Sequence, residues 1–149
     1  MRNRIIAFDP GKTSGWATFN RATETFESGQ TNFDQTAILA HTEANTYRDE
    51  IDIVSESFII TVNTAKNTQA TWSLELIGIF RYVSRSLTGQ DVKLQDPASA
   101  KRLMSDSMLK VLGWHKPGKG HANDAARHLG TFLLSRGWMD DRIIKFVTE

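Results

Sequence analysis

Short apolar segments, each closed by a turn-forming cluster, occupy the first thirty positions and predict strands rather than helices. Three are read: Arg4–Phe8, Trp16–Asn20 and about Thr25–Thr31. Asp9-Pro10-Gly11 and Asn20-Arg21-Ala22-Thr23 separate them, which implies an antiparallel meander. From about Phe33 to Asp49 a polar helix is expected, with Ala37, Ile38, Leu39, Ala40 and Ala44 as its modest apolar face. Asp52–Phe58 reads as a strand, followed by Ile59 and Ile60. The clearest helix is Thr68–Leu87. There Trp72, Leu76, Ile79, Phe80, Val83 and Leu87 recur at steps of three and four, and Gly89 ends the run. Asp91–Gln95 predicts another short strand. Asp96-Pro97 opens a helical segment through Lys101 and Arg102, continued by Met108–Leu112 up to Gly113. After the loop Lys116-Pro117-Gly118-Lys119-Gly120, a last helix is expected over His121–Ser135, closed by Gly137. The order is a hairpin meander followed by βα crossovers, an α/β pattern.

At 149 residues, without repeats, low-complexity tracts or a linker, the chain is expected to form a single domain over 1–149. Its 40% hydrophobic and 23% charged residues are those of a globular protein. The absence of cysteine excludes a disulfide scaffold, a thiolate zinc site and cysteine catalysis. No apolar run approaches the ~18 residues of a membrane span. The basic start, Met1-Arg2-Asn3-Arg4, leads to Asp9 without the apolar stretch of a signal peptide. A cytoplasmic protein with no membrane partner is therefore expected. Charge is unevenly spread: residues 1–60 carry 5 basic and 9 acidic side chains, residues 93–149 carry 10 and 6. The basic C-terminal third suits a polyanion, although folding could equally interleave the charges.

Three groups of residues carry candidate chemistry. Asp9 closes an apolar strand, where a carboxylate is held rigidly at the sheet's open edge. Gly11 and Gly15 would let the backbone turn and approach a ligand. Asp-Pro-Gly is also an ordinary turn. Glu56 interrupts an apolar strand and shares a face with Val54 and Phe58. Its burial would require a partner or a metal, unless it sits at the strand's wet end. His121 and Asp124 lie three apart on one helix face with His128 a turn further on, and so could share a metal or merely begin a helix. Small Ala125 and Ala126 would let that helix pack closely on a sheet. Three carboxylates and an imidazole form an oxygen-rich set suited to Mg²⁺ or Mn²⁺, and such sets on two ions recur in phosphodiester hydrolysis.

The run Ile5-Ile6-Ala7-Phe8-Asp9-Pro10-Gly11-Lys12-Thr13-Ser14-Gly15-Trp16-Ala17 resembles the first motif of RuvC-type Holliday junction resolvases, in the RNase H-like superfamily. Val54-Ser55-Glu56-Ser57-Phe58 resembles the second catalytic strand. His121-Ala122-Asn123-Asp124-Ala125 resembles the closing helix. The motifs keep family order across nearly the whole chain, while residues 61–68 align with nothing in the family. The short chain is similar to compact, bacteriophage-encoded members, which would place it in the host cytoplasm.

The resemblance implies an RNase H-like fold, with a mixed five-stranded sheet of antiparallel meander and parallel strands flanked by helices. It implies a metal-dependent, structure-selective endonuclease that resolves four-way junctions and other branched DNA. Asp9, Glu56, His121 and Asp124 would be its catalytic and metal-binding residues, with two Mg²⁺ or Mn²⁺ ions per site and Asp9 bridging them. Lys116 and Lys119 would contact phosphate, with Lys101 and Arg102 as weaker candidates. Phe58 or Trp72 could stack on an unpaired base, though each also fits an apolar core face. Symmetric nicking implies a homodimer, with the apolar stripe of helix 68–88 as its expected seam. The rival readings are a nuclease of the same fold acting on RNA–DNA hybrids or forks, and a junction-binding protein without catalysis.

Overall fold

A computed structural model describes residues 2–58, 61–62 and 69–149. Strands β1 (Arg4–Asp9), β2 (Thr13–Asn20) and β3 (Thr25–Asn32) form the expected meander. They are followed by α1 (Phe33–Tyr47), β4 (Ile51–Glu56), α2 (Gln69–Thr88) and β5 (Lys93–Gln95). Four further helices complete the chain: α3 (Pro97–Leu103), α4 (Asp106–Leu112), α5 (Gly120–Ser135) and α6 (Asp141–Thr148). The sheet order is β3-β2-β1-β4-β5. β1 pairs antiparallel with β2 and β2 with β3, whereas β1–β4 and β4–β5 are parallel. This is the mixed five-stranded α/β sheet that the sequence implied.

Alternation along the strands divides the core in two. Ile5, Ala7, Val54, Ala17 and Phe19 face α5, meeting Leu129, Leu133 and the aromatic group of Trp114, Phe132 and Trp138. Phe26 and Trp114 stack there with centroids 4.4 Å apart. Ile6, Phe8, Ile51 and Ile53 face the other way, onto Ala40 and Ala44 of α1 and Leu76, Phe80 and Val83 of α2. Phe8 and Phe80 stack at 4.4 Å across this second layer. Arg4 makes two hydrogen bonds, of 3.0 and 2.8 Å, to the Glu43 carboxylate, and so ties the start of β1 to α1.

Several boundaries differ from expectation for local reasons. α1 ends at Tyr47, because Arg48 turns to φ 50° and Arg48–Glu50 tighten into a 3₁₀ turn. β4 runs from Ile51 to Glu56, not Asp52 to Phe58, so Phe58 lies beyond the ladder. The single helical segment expected after Pro97 is two helices. Met104 leaves helical geometry, and the Ser105 hydroxyl accepts from Met108 N–H to start α4. A C-terminal helix, α6, lies beyond the expected elements, and Asp140 caps it by accepting from Arg142 N–H. Ile59, Ile60 and the expected helix start at Thr68 lie outside the described residues.

The expected dimer seam is corrected. Leu76 and Phe80 are fully buried and Val83 nearly so, all within this chain's own core. The stripe covers the sheet. Among the described residues, no helix is long and apolar enough to cross a membrane.

Candidate active site

Strand parity decides where the carboxylates go. Asp9 has the same parity as Ile5 and Ala7, and Glu56 the same as Val54, so both project to the α5 side of the sheet. β1 and β4 pair in parallel up to Phe8 opposite Ser55. One step further, Asp9 and Glu56 stand side by side at the carboxyl ends of the two central strands. Adjacent strands lie ~4.8 Å apart, so two carboxylates are forced together at the sheet's rim.

Helix α5 brings the remaining groups. A side chain at Gly15 would place its Cβ 1.7 Å from the carbonyl oxygen of His121. Gly15 therefore opens the sheet to a helix backbone, rather than to a ligand as its sequence position suggested. α5 lacks a side-chain cap of its own at Lys119. Its first N–H groups are met instead from β3: the Gln30 amide oxygen accepts from His121 N–H at 3.0 Å and from Ala122 N–H at 3.3 Å. Asn123 holds the preceding loop, accepting from Lys116 N–H and donating to the Lys116 carbonyl. The helix start is thus fixed before any side chain enters the site.

From that start His121 Nδ1 lies 2.9 Å from Asp9 Oδ2. One turn on, Asp124 Oδ1 accepts from Arg127 Nε at 3.2 Å. Arg127 also donates to the Met104 carbonyl and pairs with Asp106, linking Asp124 to the α3–α4 corner. A second histidine joins them: His128, 2% exposed, sits with Nε2 3.9 Å from Glu56 Oε2 and Nδ1 3.0 Å from Gln95 Oε1. The i, i+3, i+7 spacing of His121, Asp124 and His128 on one helix face is the sequence signal for it. Gln30, Gln95 and Arg127 were not anticipated.

The two rim carboxyls respond oppositely to this surrounding. Burial pushes Asp9 up; its hydrogen bond with Glu56 and the charges of Glu56 and Asp124 push it further, to about 10. Burial also pushes Glu56 up, but the nearby His128, the hydrogen bond with Asp9 and the charge of Lys101 outweigh it and bring Glu56 to about 2. Two like charges cannot both be held here, so the pair keeps one proton at neutral pH.

A shallow cavity of about 180 Å³ opens in front of the pair, lined by Asp9, Pro10, Glu56, Ser57, Phe58 and Ser73. Phe58 therefore stands at the mouth of the site, not in the core. Trp72 packs edge-on against Phe33 at 5.0 Å. Lys101 lines a smaller recess with Glu56, Asp124 and His128. The other basic candidates lie apart. The Lys116 ammonium donates to the Ser28 carbonyl on β3, Arg102 reaches back to Ser99 at 3.2 Å, and Lys119 is exposed in the loop before α5.

As these side chains lie, no three carboxylate or imidazole groups among the described residues form a ready metal shell. Each is turned to a protein partner: Asp9 to His121, Glu56 to His128, Asp124 to Arg127. The donor set itself fits a hard divalent cation. Three carboxylates and an imidazole converge on one rim, and the proton that Asp9 retains is a positive charge that a cation could replace.

No family model matches the chain, and no curated protein matches it in sequence. Its structure is similar to RuvC of Thermus thermophilus solved in complex with Holliday junction substrate, with a TM-score of 0.64 and 14% identity, covering 90% of this chain and 96% of that one. A second Thermus thermophilus RuvC structure matches over the same shares with a TM-score of 0.60 and 14% identity. The fold is RNase H-like, in the form that RuvC takes.

Proposed function

We propose that the protein is a metal-dependent, structure-selective DNA endonuclease that resolves four-way junctions and other branched DNA by paired phosphodiester hydrolysis. The observation that carries this is the rim itself: Asp9 and Glu56 side by side on the two central strands, faced by His121 and Asp124 from α5. The likeness in fold to a protein solved with junction substrate supports branched DNA as the substrate class.

Mg²⁺ or Mn²⁺, two ions per site, would when bound stabilise the attacking and leaving oxygens of an in-line displacement. Asp9, which contacts both Glu56 and His121, would be the carboxylate shared by the ions. Glu56 and Asp124 would complete the set, Asp124 by giving up part of its bond to Arg127. His121 would either ligate an ion or orient the attacking water. Lys101 lies near enough to both rim carboxyls to lower them and offers a cation to a phosphate oxygen beside them. Phe58 at the cavity mouth offers a ring to an unpaired base. Paired incision takes two active sites, hence a homodimer. Its seam would be the face of α2 that the sheet leaves open, where Leu74 and Tyr82 are exposed.

The test is a panel of labelled substrates (mobile four-way junction, fork, RNA–DNA hybrid), each with Mg²⁺, Mn²⁺ or chelator. Symmetric incision of the junction, only with metal, is expected. Junction binding without incision in either metal would make the protein a non-catalytic binder, and preferential hybrid cleavage would overturn the substrate assignment.

A further inference from the structure

We infer that His128, backed by Gln95, is the positioning residue for Glu56, fixing that carboxylate in the orientation in which it holds a metal ion. The inference rests on the metal-dependent reading above and adds a function for two residues outside the expected set. His128 occupies a core position of α5, between residues that pack on the sheet, where an aliphatic side chain would be cheaper. A buried ring with two nitrogens is costly unless both are answered. Here both are. The Gln95 amide oxygen can only accept, so Nδ1 carries the hydrogen and donates across 3.0 Å. That bond fixes the ring's plane and turns Nε2 toward Glu56 Oε2, 3.9 Å away. This separation is too long for a hydrogen bond, and it is an ion pair only in the ring form that carries a proton on both nitrogens.

The backing is built into the sheet. Gln95 lies directly opposite Glu56 in the β4–β5 ladder, and its carbonyl accepts from Ser57 N–H at 2.7 Å. Glu56, its neighbour in the ladder and the ring above them therefore form one rigid set. A buried imidazole on one side of a carboxylate restricts its rotamers and leaves the other oxygen for the rim. Partners of this kind behind a metal-binding group commonly affect affinity 10–100-fold when removed.

The test measures Mn²⁺ binding by electron paramagnetic resonance of the free ion, in the full-length protein without DNA. Thermal melts in chelator and Mg²⁺ titrations of junction cleavage accompany it. His128→Leu keeps bulk and loses both nitrogens, His128→Gln keeps a nitrogen able to reach Glu56, and Gln95→Leu removes only the backing. Weakening of Mn²⁺ affinity by about tenfold is expected for His128→Leu and Gln95→Leu, with His128→Gln within about threefold of wild type. Cleavage should recover toward the wild-type rate at saturating metal. If His128→Leu does not fold, Gln95→Leu decides. Unchanged Mn²⁺ affinity in Gln95→Leu and in folded His128→Leu overturns the inference, as does equal loss in the leucine and glutamine variants of His128. Because the binding measurement uses no DNA, wild-type protein that binds Mn²⁺ but cuts no junction would sink the nuclease reading alone. Junction cleavage by wild type, with unchanged metal affinity in the variants, would sink this inference alone.

Discussion

The proton held between Asp9 and Glu56 makes the site a source of instability when no cation is present. Asp9, at about 10 in the folded chain, binds a proton that the unfolded chain releases near its ordinary value of 3.8. Its contribution is therefore intact at acid pH and is lost as pH rises through that window, by up to about 1.4 kcal/mol per pH unit. Glu56 has the opposite sign. Held at about 2, it stabilises above its ordinary 4.5, and that stability is lost as pH falls from 4.5 toward 2. Asp9→Asn removes the titration without removing the shape. The variant should melt higher than wild type at pH 8 in chelator, and its melting temperature should vary less between pH 5 and 9. Parallel pH curves for the two proteins would show that Asp9 is ionised throughout.

The elements hold the site through one close approach and one borrowed cap. With His121's carbonyl oxygen 1.7 Å from where a Gly15 Cβ would stand, Gly15→Ala must lift α5 off β2 and carry His121 and Asp124 with it. A Cβ at Gly130 meets only Met104, its Cε at 2.5 Å, the end of a flexible side chain that can move. Gly15→Ala should cost about 3 kcal/mol or more and nearly all cleavage, whereas Gly130→Ala should cost about 1 kcal/mol and keep cleavage. Denaturant melts and junction assays on the pair check this, and equal effects would contradict it. These elements also mark what the sequence could disclose. The parity of Asp9 and Glu56, the spacing on α5 and the meander were legible, because strand alternation and helix periodicity are local. Gln30's capping of α5 was not, since it joins positions 91 residues apart. Nor was the meaning of Gly15, because a small residue looks the same beside a ligand as beside a helix. The split between α3 and α4 was written in Ser105, whose hydroxyl starts the second helix, and α6 in Asp140 ahead of Ile143, but apolar periodicity over so few residues is a weak signal.

Across the whole molecule, α2 has one face in the core and one exposed. Its inner stripe is core, so Phe80→Glu would bury an unpaired charge and cost about 4 kcal/mol or more. Tyr82, 74% exposed on the outer face, should accept glutamate with little change in melting temperature. If the outer face is the dimer seam, Tyr82→Glu should yield folded monomers by light scattering that nick a junction once but lose paired incision. A Tyr82→Glu protein that still sediments as a dimer would move the seam elsewhere.

In the proposed function, Asp9, Glu56 and Asp124 perform hydrolysis on a DNA that other residues hold. The most direct measurement compares cleavage and binding of one labelled four-way junction by wild type and by Asp9→Asn, in the same Mg²⁺ buffer. Asp9→Asn should lose at least about 1,000-fold in cleavage rate, on the order of 4 kcal/mol in the barrier, with junction affinity equal to wild type or tighter once a negative charge is removed. An Asp9→Asn protein that cuts the junction at the wild-type rate would contradict the proposed function.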